Sequence, residues 1–509
     1  MTGQKKWGGG GGGSPDDCGV QFPFDNSYAR LPERFYARLE PTQVAAPKLV
    51  SINRPLALQL GLDPEALTSP LGVEILAGNR IAQGSETIAQ VYSGHQFGNF
   101  VPQLGDGRAI LLGEVVDRTG VRRDIQLKGS GRTPFSRNGD GRAGLGPVMR
   151  EYIVSEAMAA LGIPTTRSLA IVTTGEMILR ETPLPGAILT RVASSHVRVG
   201  TFQYFAARGD VEALRLLADY VLVRHYPDLA VCDQPYRALI DQVIAHQAEL
   251  VAKWLLVGFI HGVMNTDNTS IASETIDYGP CAFMDVYHPQ TVFSFIDQLG
   301  RYAYGNQPQI AAWNLARFAE TLLPLLSDDT ETAMAQANES LEAFPDHFSR
   351  ALAAGQRRKL GMFTERDGDA ALAEDLLNTM AEGHADFTLT FRHLCNAAAD
   401  PEAEADVRSL FDNPASYDSW ALRWRQRLAD EPQDGLTRRA SMEAVNPAYI
   451  PRNHLIEAAV SAAVEHGNYR PFEELTTVLG KPYEDQSAFP AYADPPRPEQ
   501  RVRYTFCGT

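Results

Sequence analysis

The chain has 509 residues, 44% of them hydrophobic and 21% charged, enough for one large core or two to three ordinary ones and too apolar for whole-chain disorder. Its formal net charge of -16 argues against a general nucleic-acid or anionic-membrane surface, since both need clustered Lys and Arg. Five cysteines without a Cys-x-x-Cys pair argue against a disulfide framework or zinc site and for a reducing compartment.

Residues 1–23 read as a flexible tail, with Gly8 to Ser14 its glycine-rich part; no apolar or Arg-rich targeting pattern is visible there, so a cytoplasmic location is expected. Residues 24–90 mix short helical patterns with proline breaks and read as an extension packing on the core, with Asp63-Pro64 opening a helix. Glycines at 94, 98, 105 and 107 then precede the apolar run Ala109 to Val116. A hairpin whose backbone N–H groups approach phosphate needs such glycines, although a turn at 105–107 without a ligand fits equally well.

In Arg122 to Lys128, Ile125 and Leu127 alternate with polar residues, which predicts a strand ending on Lys128. The loop from 130 to 146 carries Arg132, Arg137, Arg142 and Asp140-Gly141, a composition suited to phosphate; a solvated surface loop is the plain alternative. Pro147 to Ile163 predicts a helix with Gly162 at its end and Met149, Tyr152, Ile153, Ala157, Ala160 and Leu161 as its buried stripe. Its glutamates Glu151 and Glu156 are both candidates to orient Lys128. Two strands follow at 169–179 and 186–192, and Arg191 and Arg198 stand at and beyond the second. From Thr201 onward the apolar spacing is helical, up to a proline-rich tail over 481–509.

The segment HGVMNTDN, His261 to Asn268, is laid out like the catalytic loop of protein kinases but has Val263 where the base aspartate belongs, and a carboxylate returns at Asp267. Asp277-Tyr278-Gly279 has the form of the kinase magnesium motif. The expected fold is therefore α+β and protein-kinase-like in two lobes: a small antiparallel sheet lobe with one helix over 91–200 and a mainly helical lobe over 201–480, with extensions at both ends. An ordinary phosphotransferase is disfavoured by Val263.

The stretches FDNSYARLPERFYARLEP, YSGHQFGNFVPQLGDGRAILLGE, DIQLKGSGRTPFSRNGDGRA, VMREYIVSEAMAALGIPTTRSL, HGVMNTDN and NPAYIPRNHLIEAA closely resemble the selenoprotein O (SelO or YdiU) family of protein adenylyltransferases. The resemblance implies ATP bound inverted relative to active kinases and AMP transferred to Ser, Thr or Tyr hydroxyls of protein substrates. It implies nucleotide contacts from Gly105, Gly107, Arg108, Lys128, Asp140, Gly141, Arg191 and Arg198, a divalent cation (Mg²⁺ or Mn²⁺) on Asn268 and Asp277, Asp267 as proton acceptor, and Glu151 as the partner of Lys128. Two alternatives stay open: UMP transfer from UTP with manganese, and a catalytically silent nucleotide-binding pseudokinase scaffold. Where many relatives outside bacteria carry selenocysteine near the C-terminus, this chain has Cys507. A regulatory disulfide between Cys281 and Cys507 is one reading of that pair, and two unpaired thiols is the other.

Overall fold

The computed structural model describes residues 19–506. Cys507 and most of the glycine-rich tail lie outside these residues.

Ten strands form the first half of the molecule: β1 (Tyr36–Arg38), β2 (Lys48–Ile52), β3 (Ile88–Gln90), β4 (Gly94–Gln96), β5 (Asn99–Val101), β6 (Ala109–Val116), β7 (Arg122–Lys128), β8 (Ala143–Gly144), β9 (Arg167–Leu179) and β10 (Pro183–Ala193). Eight of them make one sheet, in the order β1-β3-β6-β7-β10-β9-β2 with β8 beside β10, while β4 and β5 pair as a separate hairpin. Neighbouring strands run antiparallel throughout.

The sheet is covered on both faces, and the two-residue period of its strands decides what each face carries. On one side Ile125 and Leu127 of β7 share a core with Leu112, Val172 and Ile188, closed by Leu56, Leu60, Leu67 and Leu76 from three short helices over 54–76. Each of these helices has a proline in its first turn, and the side chains of Asn53, Asp63 and Ser69 accept N–H groups at their starts. Asp124, Gln126 and Lys128 are thereby left on the opposite face. There helix α1 (Leu145–Ala160) packs Met149, Ile153 and Ala157 against Leu111, Ile171 and Leu189 and ends at Gly162 with φ +74°.

The segment 24–90, expected as an extension laid on the core, supplies β1, β2 and β3 and so forms part of the sheet itself. These strands are three to five residues long and separated by proline-broken turns, too short for a periodic signal. Their partners, β9 for β2 and β6 for β3, lie beyond the reach of any local pattern.

Beyond the sheet the chain is helical: α2 (Val199–Ala206), α3 (Val211–His225), α4 (Pro235–Leu256) and α5 (Gln307–Leu326) lead into further helices up to Leu479. The final pair, α6 (Asn453–His466) and α7 (Arg470–Leu479), returns to the sheet lobe, where Phe472 meets the ring of Tyr152 on α1 at 5.4 Å. A buried ionic network joins the lobes: Arg224 on α3 donates to Asp124 at 2.6 Å and Glu114 at 3.2 Å, and His196 Nδ1 lies 2.8 Å from Asp124. A second core around the stacked rings of Trp420 and Trp424 fills the far end of the helical lobe. Among the described residues no helix is long and apolar enough to cross a membrane.

Helix α4 delivers the chain into β11 (Phe259–Ile260), which pairs with β12 (Ala282–Phe283). The loop carrying residues 261–281 is thus tied at its neck and turned toward the polar face of the sheet.

Candidate active site

The register of β7 against β10 sets Arg191 opposite Gln126 and Leu189 opposite Lys128, so Lys128 and Arg191 emerge from the same face on neighbouring strands. Beneath them α1 presents Glu151. Lys128 Nζ donates to Glu151 at 2.6 Å, and Arg191 donates to the other carboxylate oxygen through Nε at 2.9 Å and Nη2 at 2.6 Å. Both cations also reach across to the helical lobe, where Asp277 lies 2.6 Å from Arg191 and 3.2 Å from Lys128. Arg198 completes the set at 2.6 Å from the second oxygen of Asp277.

Three cations on one carboxylate dominate the electrostatics. Although burial opposes ionisation, Arg191, Arg198 and Lys128 hold Asp277 well below the usual carboxylate range. Glu151 is likewise lowered, by Arg191 and Lys128 against its burial. Lys128 is lowered by burial and by neighbouring Arg191, which its two carboxylates only partly offset. Glu156, the other candidate for Lys128, faces away and is taken by Arg167 at 2.6 Å and by Asn53 at 2.7 Å.

The loop 261–279 is held from below. His261 lies 2.9 Å through Nε2 from the carbonyl of Ile276, and its N–H donates to Gln307. Asn268 donates through its side-chain nitrogen to the carbonyl of Val263 at 2.9 Å, which keeps its oxygen as the end offered to a cation. Asp277 adopts φ +61°, a left-handed conformation that asparagine and aspartate tolerate better than most residues. Asp267 sits on a single 3-10 turn, Thr266 to Asn268, and burial pushes its carboxyl up to about 6 even with Arg198 nearby.

The glycines expected to form one phosphate-covering hairpin divide between two structures. Gly94 and Gly98 belong to the β4–β5 hairpin, which leaves the sheet lobe and lies on the loop of Asp267: the N–H groups of His95 and Phe97 donate to Thr266 and Asn265 at 2.7 and 3.0 Å. Gly105 and Gly107 form the turn into β6, where a Cβ would come within 2.6 Å of the Phe135 ring and 2.9 Å of its carbonyl, respectively. Close packing of two loops therefore already requires these glycines. Within the arginine-rich loop, Arg142 donates to the carbonyls of Thr42 and Gln43 and Arg132 to that of Gly139. Asp140 is gripped by Arg180 at 2.8 and 3.1 Å. At Gly141 a Cβ would collide with the carbonyl of Gly131.

A cleft of about 760 Å³ opens between the lobes. Its walls include every residue expected from the sequence to bind nucleotide (Gly105, Gly107, Arg108, Lys128, Asp140, Gly141, Arg191, Arg198), to hold metal (Asn268, Asp277) or to serve catalysis (Asp267, Glu151). Cys281 is buried beside it, and the hydroxyl of Thr505 donates to the neighbouring carbonyl of Pro280 at 2.6 Å; the suggested partner Cys507 lies outside the described residues. Among the described residues no group of three or more His, Cys, Asp or Glu gathers in a way that could hold a metal. Asn268 and Asp277 alone fit a magnesium-type cation, which usually takes one or two carboxylates and fills its sphere with water and phosphate oxygens.

Sequence reasoning passed over several residues of the site. Tyr92 lies under Arg198, with the guanidinium 4.7 Å from its ring centre. Buried Asp106 accepts from the N–H of Gln90 and from the side chain of Gln126, which also faces Arg191. Alternation along β7 puts Gln126 on the face of Lys128 and could have identified it. Tyr92 left no such signal.

Comparison with known proteins assigns the chain's relatives. The family described as Protein adenylyltransferase SelO matches residues 20–480. A protein of Bradyrhizobium diazoefficiens named Protein nucleotidyltransferase YdiU is 66% identical over 490 residues, covering 96% of this chain and all of the relative. Proteins of the same name from Rhodopseudomonas palustris strain BisB5 and Bradyrhizobium sp. strain BTAi1 are each 65% identical over the same shares.

Proposed function

We propose, from the premise that the chain belongs to the SelO family of nucleotidyltransferases, that it transfers AMP from ATP to hydroxyl side chains of protein substrates. The observation that carries this reading is the convergence of Lys128, Arg191 and Arg198 on Asp277, in a cleft whose loop has Val263 in place of the kinase base and Asp267 beside Asn268.

The chemistry follows from what each group can do. The acceptor oxygen attacks the α-phosphorus; an oxygen–phosphorus bond forms as the bond to the bridging oxygen breaks, and pyrophosphate leaves. Asp267, raised toward neutrality by burial, is suited to take the hydroxyl proton near physiological pH. Charge builds on the departing pyrophosphate, and preorganised cations in a partly desolvated cleft stabilise it more than water would. Lys128, Arg191 and Arg198 supply three such cations. The family resemblance favours an inverted nucleotide, and Arg191 and Arg198, set beside Lys128 on Asp277, offer its phosphates a cationic seat. Asn268 and Asp277 would hold a divalent cation, Mg²⁺ or Mn²⁺, which supplies further neutralisation of phosphate charge. Glu151 holds Lys128 and Arg191 in place.

The relatives' names specify a nucleotidyl group without a base, and groups that grip phosphates do not choose between ATP and UTP. The test is incubation of the purified protein and a cell extract with Mg²⁺ or Mn²⁺ and ATP labelled at the α- or the γ-phosphate, with α-labelled UTP in parallel. Protein label from α-labelled ATP and none from γ supports the proposal. Label from γ alone would make the protein a kinase, label from UTP in preference would change the donor, and nucleotide binding without any label would make it a scaffold.

A further inference from the structure

The β4–β5 hairpin has no part in the chemistry above, yet it packs directly on Asp267. Its strand Gly94–Gln96 crosses from the sheet lobe onto the turn Thr266–Asn268 and is fastened on either side of Gln96, by His95 N–H on Thr266 and by Phe97 N–H on Asn265. Those anchors are themselves buttressed. Thr266 donates to Gln203 of α2 at 2.6 Å, and the oxygen of Asn265 also accepts from the Tyr302 hydroxyl at 2.7 Å.

Between the anchors the two carboxylate oxygens of Asp267 meet different surroundings. Gln96 Nε2 donates to Oδ2 at 3.3 Å. Oδ1 is buried without a hydrogen-bond partner among the described residues, and it lies under Gly94, where a Cβ would come within 2.5 Å of it. One oxygen is sealed by the absence of a side chain at Gly94, and the other is held by the amide of Gln96.

We propose that Gln96 is a positioning residue for transfer: the hairpin clamps the Asp267 carboxylate so that Oδ2, steadied by Gln96, is the oxygen that receives the acceptor proton. This rests on the reading of Asp267 as the base. A carboxylate with one unpaired buried oxygen has little to fix its rotation about the Cβ–Cγ bond, and a single neutral donor on the other oxygen supplies that restraint without removing its capacity to accept a proton. Gln96 and Asp267 are 171 residues apart, so the clamp exists only in the folded chain.

The test compares wild type with Gln96→Met, which keeps length and removes the donor, and Gly94→Ala, which pushes on Oδ1. Measured are the turnover of α-label transfer to protein, the affinity for ATP by calorimetry and the melting temperature. The expected result for Gln96→Met is a fall in kcat on the order of 10- to 100-fold with ATP affinity within about twofold of wild type and an unchanged melting temperature. Gly94→Ala should lose at least as much turnover. In an Asp267→Asn background, Gln96→Met should cost nothing further, because there is no carboxylate left to orient. Turnover of Gln96→Met within about twofold of wild type, or an undiminished loss in the Asp267→Asn background, would overturn the role of Gln96 while leaving the transfer reaction standing. A wild-type protein that transfers no α-label would overturn the reading of the site, and this role with it.

Discussion

Arg198 and Asp277 are joined at 2.6 Å, and the same guanidinium nitrogen donates to the backbone carbonyl of Asp267 at 2.7 Å. One side chain at the junction of the lobes thereby holds both the carboxylate proposed to bind metal and the turn proposed to carry the base. Replacing it with Leu should lower AMP transfer on the order of 100-fold, the usual scale for removing one preorganised donor, and should weaken ATP binding as well. Labelled transfer and calorimetry on Arg198→Leu check both; turnover near that of wild type would remove Arg198 from the site.

Asp267→Asn keeps the shape of the side chain and removes its capacity as a base. Transfer should fall on the order of 100- to 10,000-fold, leaving a measurable remainder, while most of the ATP affinity survives, since the cations that grip phosphate are untouched. Unchanged turnover would take Asp267 out of the mechanism.

Among the described residues, Glu151 is the only carboxylate that Lys128 and Arg191 share within the sheet lobe. Glu151→Gln leaves two buried cations leaning on Asp277 alone, so the folded state should lose about 3 kcal/mol, readable as a lower urea midpoint, together with activity.

Asp124 is buried between Arg224 and His196. Burial opposes its ionisation, but Arg224 and His196 draw it down to about 2 from an ordinary 3.8. Its folded value lies below its unfolded one, so the unfolded chain binds more protons as the pH falls through this window. The stability it contributes is complete above about pH 4 and is lost toward pH 2. Denaturation curves of Asp124→Asn should be flatter with pH over that interval than those of wild type.

Lys359 is buried among apolar groups, its ammonium 4.2 Å from the ring centre of Phe391, and burial lowers it to about 7. Between about pH 7 and 10.5 the unfolded chain holds a proton there that the folded chain has lost, so stability rises with pH through that range. Lys359→Met, which removes the charge and keeps the length, should stabilise the protein at pH 7 by more than about 1 kcal/mol and remove that slope. A lower melting temperature for this variant would contradict the assignment.

The clamp on Asp267 could not have been anticipated from the glycine pattern that drew attention to residues 94–107. Glycines report that a Cβ is unwelcome, and they do not say whether phosphate, an aromatic ring or a carboxylate stands in the way. At Gly105 it is the ring of Phe135, and at Gly94 it is Asp267. Similarly, helical periodicity placed both Glu151 and Glu156 on α1, but their angular separation around the helix axis, combined with the packing of α1 on the sheet, directed one toward Lys128 and the other toward Arg167.

By itself the sequence determined the local elements whose signals are short in range: the strand ending on Lys128, the helix that begins near Pro147 and stops at Gly162, and the loop that carries Asp267, Asn268 and Asp277. Alternation, capping and motif spacing all act within a few residues, so they can be read along the chain. Only the tertiary structure decided which charges meet. Lys128 and Asp277 are 149 residues apart, and Arg198 and Asp277 are 79 apart. Their contact depends on strand register, on the face α1 turns to the sheet and on the β11–β12 neck that aims the loop. Partner choice in a buried ionic cluster is a property of packing, because burial makes each charge depend on every other charge brought out of water with it.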